Sequence, residues 1–145
     1  MVLGPPPGFL EALDGLQDES SWQRVRGALF QMWTSGVDVP AVHEYVAHMG
    51  HYGFRHWRRG GREIAAAFTR EGSPLAAMER LDEACPTLHL YAQPADDAVL
   101  AAQQQYAAEH PWFHVQRLEA RSHFPMFEVP QDVATAFERF VCPTP

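Results

Sequence analysis

Residues 121–130 read RSHFPMFEVP, a short polar turn that carries one histidine, His123, between two periodic stretches. Upstream, Val115 to Leu118 alternates apolar and polar residues. Downstream, Val129, Val133, Phe137, Phe140 and Val141 recur at helical spacing behind Pro130. The pattern predicts a strand over 115–118, a loop holding His123, and a helix over 129–141. Loops at the carboxyl ends of strands are where open α/β sheets gather their chemistry, and an imidazole can take and return a proton near neutral pH. An isolated loop histidine is, however, more often a surface residue or a turn hydrogen-bonder. The neighbourhood of His123 therefore decides how it is read.

Working outward, CPTLHLYAQPADD at 85–97 predicts a buried strand over Thr87–Ala92, stopped by Pro94. An acidic loop and an alanine- and glutamine-rich helix over Asp97–Glu109 follow, then HPWF at 110–113 and the second strand. This half is β, α, β, α, so the fold class is α/β with parallel strands and right-handed crossovers. Two parallel strands alone leave faces and edges uncovered, which raises the question of missing neighbours.

Residues 1–82 read as a helical region, and residues 83–145 as the βαβα part. Helices are predicted over 9–16, over 22–33 ending near Gly36, and from Pro40 to Gly50 or Gly53. A fourth is predicted over 54–68, with a bend at Gly60 and Gly61, and a short fifth from Ser73 and Pro74 to Leu81. Ser20 and Ser21 are the expected caps of the second helix. The opening MVLGPPPG resembles the end of a strand and its exit loop, so something is expected to precede it.

With 145 residues, 46% of them hydrophobic, one globular unit with a sizeable core is the default. A net charge of −7 argues against a nucleic-acid binder. The one basic cluster, Arg55, Arg58, Arg59 and Arg62, reads as a solvated helix face. Two cysteines, Cys85 and Cys142, make no disulfide framework and read as small buried apolar residues. No basic and apolar leader and no run long enough to span a membrane is found, so the expectation is a reduced, cytoplasmic protein without membrane or nucleic-acid partners.

Asp96 follows the first strand as His123 follows the second, so the two could meet as a base and its orienting carboxylate. Asp97 is equally placed. The competing reading, slightly favoured, is that both aspartates open the 97–109 helix and complement its dipole. None of the serines sits on a strand-to-helix elbow with small residues two positions away. His43, His48, His51 and His56 are numerous, but no carboxylate or thiolate spacing accompanies them, and no metal site is assigned. Phe30, Trp33, Tyr45, Phe54 and Trp57 are first of all packing residues. If the helices form a lid, some of them would suit a flat aromatic ligand.

Several separated motifs resemble one family in the right order: LFQMW at 29–33, YGFRHWRRGGREIAAAF at 52–68, GSPL at 72–75, HLYAQPAD, HPWF and RSHFPMFEVP. The sequence is similar to the carboxyl-terminal half of the cofactor-independent 2,4-dioxygenases that open 3-hydroxy-4-oxoquinoline and 3-hydroxy-4-oxoquinaldine rings. The resemblance implies a partial α/β-hydrolase fold, a helical cap followed by the last core strands. It implies that His123 deprotonates the substrate hydroxyl so that the anion reacts with dioxygen without metal or flavin, and that Trp33 packs on the bicyclic substrate. Asp96 stands roughly where most other α/β-hydrolases keep their acid and is the fallback partner of His123. The family's early strands, oxyanion loop, serine elbow and the acid after the following strand have no counterpart here, so activity of the chain alone is left open.

Three readings follow. One is a truncated or split dioxygenase relative, completed by an amino-terminal half. Another is a hydrolase fragment using Asp96 with His123 on an ester or amide. The last is a non-catalytic, oligomerising interaction module with an exposed strand edge.

Overall fold

The computed structural model describes residues 4–142. Helices succeed one another through the first half: α1 (Phe9–Gly15), α2 (Trp22–Thr34), α3 (Pro40–Gly50), α4 (Phe54–Glu71) and α5 (Pro74–Met78). The second half runs β1 (Thr87–Tyr91), α6 (Asp97–Glu109), β2 (Phe113–Arg117), α7 (Pro125–Glu128) and α8 (Pro130–Val141). The strand end expected at Met1–Leu3 lies outside the described residues.

The chain divides into two compact units, one built from the residues up to Met32 with Glu44–Asp82, the other from Trp33–His43 with the residues from Glu83 onward. In the first, Leu13, Leu16, Trp22, Val25 and Leu29 are buried. The helices are locked by edge-on aromatic pairs, Phe9 with Phe68 and Phe30 with Trp57. Helix α4 runs unbroken through Gly60 and Gly61, where a bend was expected. The reason for Gly61 is close packing, since a Cβ there would lie 3.1 Å from the Leu13 carbonyl oxygen and 3.2 Å from Leu16 Cδ1.

In the second unit β1 and β2 are parallel, with Thr87 opposite Phe113 and Tyr91 opposite Arg117. Strand β2 starts two residues before the expected Val115 because Phe113 is buried and Thr87 N–H bonds the Trp112 carbonyl at 2.8 Å. Helix α6 covers β2 and brings in the buried Gln103, whose Oε1 lies 2.7 Å from His89 Nδ1. That pairing satisfies a polar group inside the unit.

Four local expectations are corrected. Ser20 and Ser21 do not cap α2: their hydroxyls donate to the Asp18 side chain and the Gly15 carbonyl, and Asp18 shapes the turn instead. Helix α5 stops at Met78, one turn short of Leu81. An extra helical turn, α7, precedes α8, because Pro125 is buried and begins it. Cys85 and Cys142 are free but exposed, lying just outside β1 and at the end of α8. Among the described residues no helix is long and apolar enough to cross a membrane.

Candidate functional site

His123 sits in the turn between β2 and α7, within the second unit. Its backbone N–H donates to the Trp33 carbonyl at 2.7 Å. Two of the three residues singled out from sequence are therefore joined directly, although 90 positions separate them in the chain. Trp33 is half-buried in the last turn of α2, and His123 keeps an exposed surface. Partial burial lowers the His123 pKa below the ordinary histidine value, and hydrogen bonding to the Trp33 backbone opposes this without cancelling it. The ring is thus held toward its neutral form, the form that accepts a proton.

The rest of the turn is fastened on both sides of His123. Ser122 is fully buried, and its Oγ accepts from the Phe124 N–H at 3.1 Å. The Glu128 carboxylate reaches back over the turn, Oε1 accepting from Ser122 N–H at 2.7 Å and Oε2 from Arg121 N–H at 3.2 Å. Burial pushes the Glu128 pKa up, but the bonds from Ser122 and Arg121 together outweigh it and leave the carboxyl below its ordinary value. Glu128 was not singled out from sequence. The one available signal was an acid placed shortly after a Ser-X-X-Pro turn, which has no periodicity.

Asp96, the third residue, goes to its own helix. It is the N-cap of α6, and Oδ1 accepts from Ala98 N–H at 2.7 Å. Asp97 pairs with Arg117 Nη1 at 2.9 Å, and the same guanidinium donates to the Ala95 carbonyl at 3.2 Å. Neither aspartate bonds His123, so the acidic loop is tied to the end of β2 rather than to the imidazole. Beside it Tyr91 is buried with no partner for its hydroxyl among the described residues, and burial raises its pKa.

The remaining candidates stay apart from this turn. Arg55, Arg58, Arg59 and Arg62 line an open depression of about 400 Å³ on α4, in the first unit. His48 and His51 stack edge-on at 5.8 Å, and among the described residues no group of three or more histidines, cysteines or acids is placed to hold a metal ion. Ile64, Ala67, Phe68, Pro74 and Ala77 line an apolar groove of about 290 Å³ in the first unit, with Glu71 and Ser73 at its edge.

No protein-family model matches the sequence. The chain is 39% identical over 136 residues to a 2-heptyl-3-hydroxy-4(1H)-quinolone dioxygenase of Mycobacteroides abscessus, covering 92% of the chain and 51% of that enzyme. It is 33% identical over 141 residues to the 1H-3-hydroxy-4-oxoquinoline 2,4-dioxygenase of Pseudomonas putida, covering 97% of the chain and 53% of that enzyme. Among solved structures, a variant of AqdC, which recognises and cleaves the ring of the Pseudomonas quinolone signal, superposes with a TM-score of 0.92 at 35% identity. That match covers 99% of this chain and 54% of the other. The solved 1H-3-hydroxy-4-oxoquinoline 2,4-dioxygenase superposes with a TM-score of 0.90 at 33% identity, over 96% of this chain and 53% of that one. The chain thus spans about half the length of the relatives it matches. The fold is theirs, the α/β-hydrolase fold, in part.

Proposed function

Since the chain is a homologue of the quinolone 2,4-dioxygenases over about half of their length, and their carboxyl-terminal half is what it fits, we propose that it supplies the base-bearing half of such an enzyme. Its substrate is a 3-hydroxy-4-oxoquinoline. In this reading residues 1–82 form the helical cap and residues 83–145 the end of the core, and an amino-terminal half completes the site. The two free cysteines suit a reducing cytoplasm.

The observation that carries the proposal is the bond from His123 N–H to the Trp33 carbonyl. It ties the backbone that carries a proton acceptor to the backbone that carries an aromatic ring of a size to face a bicyclic substrate. His123, kept toward neutrality by partial burial, takes the proton of the 3-hydroxyl group. The resulting anion is electron-rich enough to react with dioxygen. Substrate plus one dioxygen equals the ring-opened carboxylic acid amide plus carbon monoxide, so the step needs no external electrons and no resident metal or flavin. Trp33 orients the ring system, and Asp96, occupied in capping α6, takes no part. That assignment also removes the support for an ester- or amide-cleaving alternative.

The test is complementation. The chain is co-expressed with the amino-terminal half of the Mycobacteroides abscessus relative, and carbon monoxide release from 3-hydroxy-4-oxoquinoline is measured. The completed protein is expected to turn over, with His123→Ala slower by about 10²–10⁴-fold. Turnover that survives His123→Ala at the parent rate would exclude His123 as the base.

A further inference from the structure

The backbone around His123 is pinned at three successive amides, and two of the anchors come from one turn. His123 N–H is held by Trp33, Phe124 N–H by Ser122 Oγ, and Ser122 N–H by Glu128 Oε1. Ser122 has no solvent-exposed surface, so its amide has no water to fall back on if the carboxylate is lost. Glu128 also holds two consecutive amides of the turn, Arg121 and Ser122, and a charged acceptor makes such bonds roughly twice as strong as a neutral one. Its position follows from the local chain. Pro125 starts α7, one turn long, and that turn swings residue 128 back over residues 121–122.

We propose that Glu128 is a positioning residue for His123: its carboxylate fixes the Arg121–Ser122 backbone and so sets where the imidazole stands and how much solvent reaches it. The inference rests on the reading of His123 as the base, but it concerns the turn and can be examined without substrate. The lowered pKa of Glu128 supports it, since the acceptor stays ionised at neutral pH. Arg121, on the same turn, adds a favourable charge. Trp33, from α2, contributes a backbone carbonyl and no charge.

The test uses the 145-residue chain, with the His123 ring titrated by NMR and exchange followed at the Ser122 amide. In Glu128→Ala, Ser122 exchange is expected to accelerate by about tenfold or more. The His123 pKa is expected to rise back toward that of an exposed histidine as the turn opens to water. Glu128→Gln, which keeps one carbonyl oxygen for Ser122, is expected to fall between the two. Unchanged His123 titration in a folded Glu128→Ala variant would overturn the proposal. Should that variant fail to fold, Glu128→Gln decides on the same readout.

Turnover in the complemented enzyme keeps this failure apart from that of the base assignment. If the titration moves while His123→Ala leaves turnover intact, Glu128 does position the turn and the base assignment is what fails. If His123→Ala abolishes turnover while both Glu128 variants leave the His123 pKa in place, the positioning role fails and the base stands.

Discussion

Single residues in this protein report on acid differently, according to what holds them. The folded-state pKa of His123 lies below its unfolded value, so the unfolded chain binds more protons in the interval between the two. The neutral ring's contribution is complete above about pH 6.5 and declines as pH falls below that value. Urea midpoints of wild type and His123→Gln are expected to converge between pH 7.5 and pH 5.5, with wild type losing the more. Glu128 has a depressed pKa, so its contribution is present above about pH 4.3 and is lost as pH falls through the folded value. Wild type is expected to show this second loss, and Glu128→Gln to lack it. Asp96 is a different case, because its carboxylate serves a helix end. Asp96→Ala is expected to cost about 1 kcal/mol of stability and Asp96→Asn only a few tenths, since asparagine caps equally well. A His123 titration that shifted in Asp96→Asn would contradict the separation of the two residues.

At the scale of elements, the clearest case is the Gly60–Gly61 pair in α4. Both weaken a helix equally by propensity, and they differ only in what stands opposite them. A Cβ at residue 60 meets nothing within 4 Å, whereas at residue 61 it meets the Leu13 carbonyl oxygen at 3.1 Å. Backbone of a neighbouring helix does not yield as a side-chain tip would. Gly60→Ala is therefore expected to stabilise by about 0.5–1 kcal/mol. Gly61→Ala is expected to destabilise by about 1–3 kcal/mol through overpacking. Thermal midpoints of opposite sign would confirm the close approach of α1, and two stabilised variants would refute it. The strands differ in a comparable way. β1 is at least partly covered at every position, with Leu88 and Leu90 on one face and Thr87, His89 and Tyr91 on the other, while β2 alternates, with His114 and Gln116 exposed.

At the scale of the whole molecule, apolar side chains stay open on α8. Phe137 is 57% and Val141 50% exposed, although both belong to the apolar residues that recur at helical spacing in that segment. Phe137→Gln is expected to leave the stability of this chain within about 0.5 kcal/mol, as surface substitutions do. If an amino-terminal half packs on that face, the same substitution weakens complementation, which calorimetry of the two halves would measure. Equal affinity of both forms would place the partner's surface elsewhere.

The amino-acid sequence by itself determined the order and kind of the elements other than α7, because periodicity, prolines and glycines act locally: α6 falls where its pattern placed it, Asp96 opens it, and His123 falls on its turn. Motif order carried the family resemblance for the same reason. Tertiary structure alone decided the pairing of His123 with Trp33, the use of Gly61 as a packing site and the role of Glu128. Each of these is a hydrogen bond or a contact distance set by chain geometry across space, and no spacing along the chain encodes it.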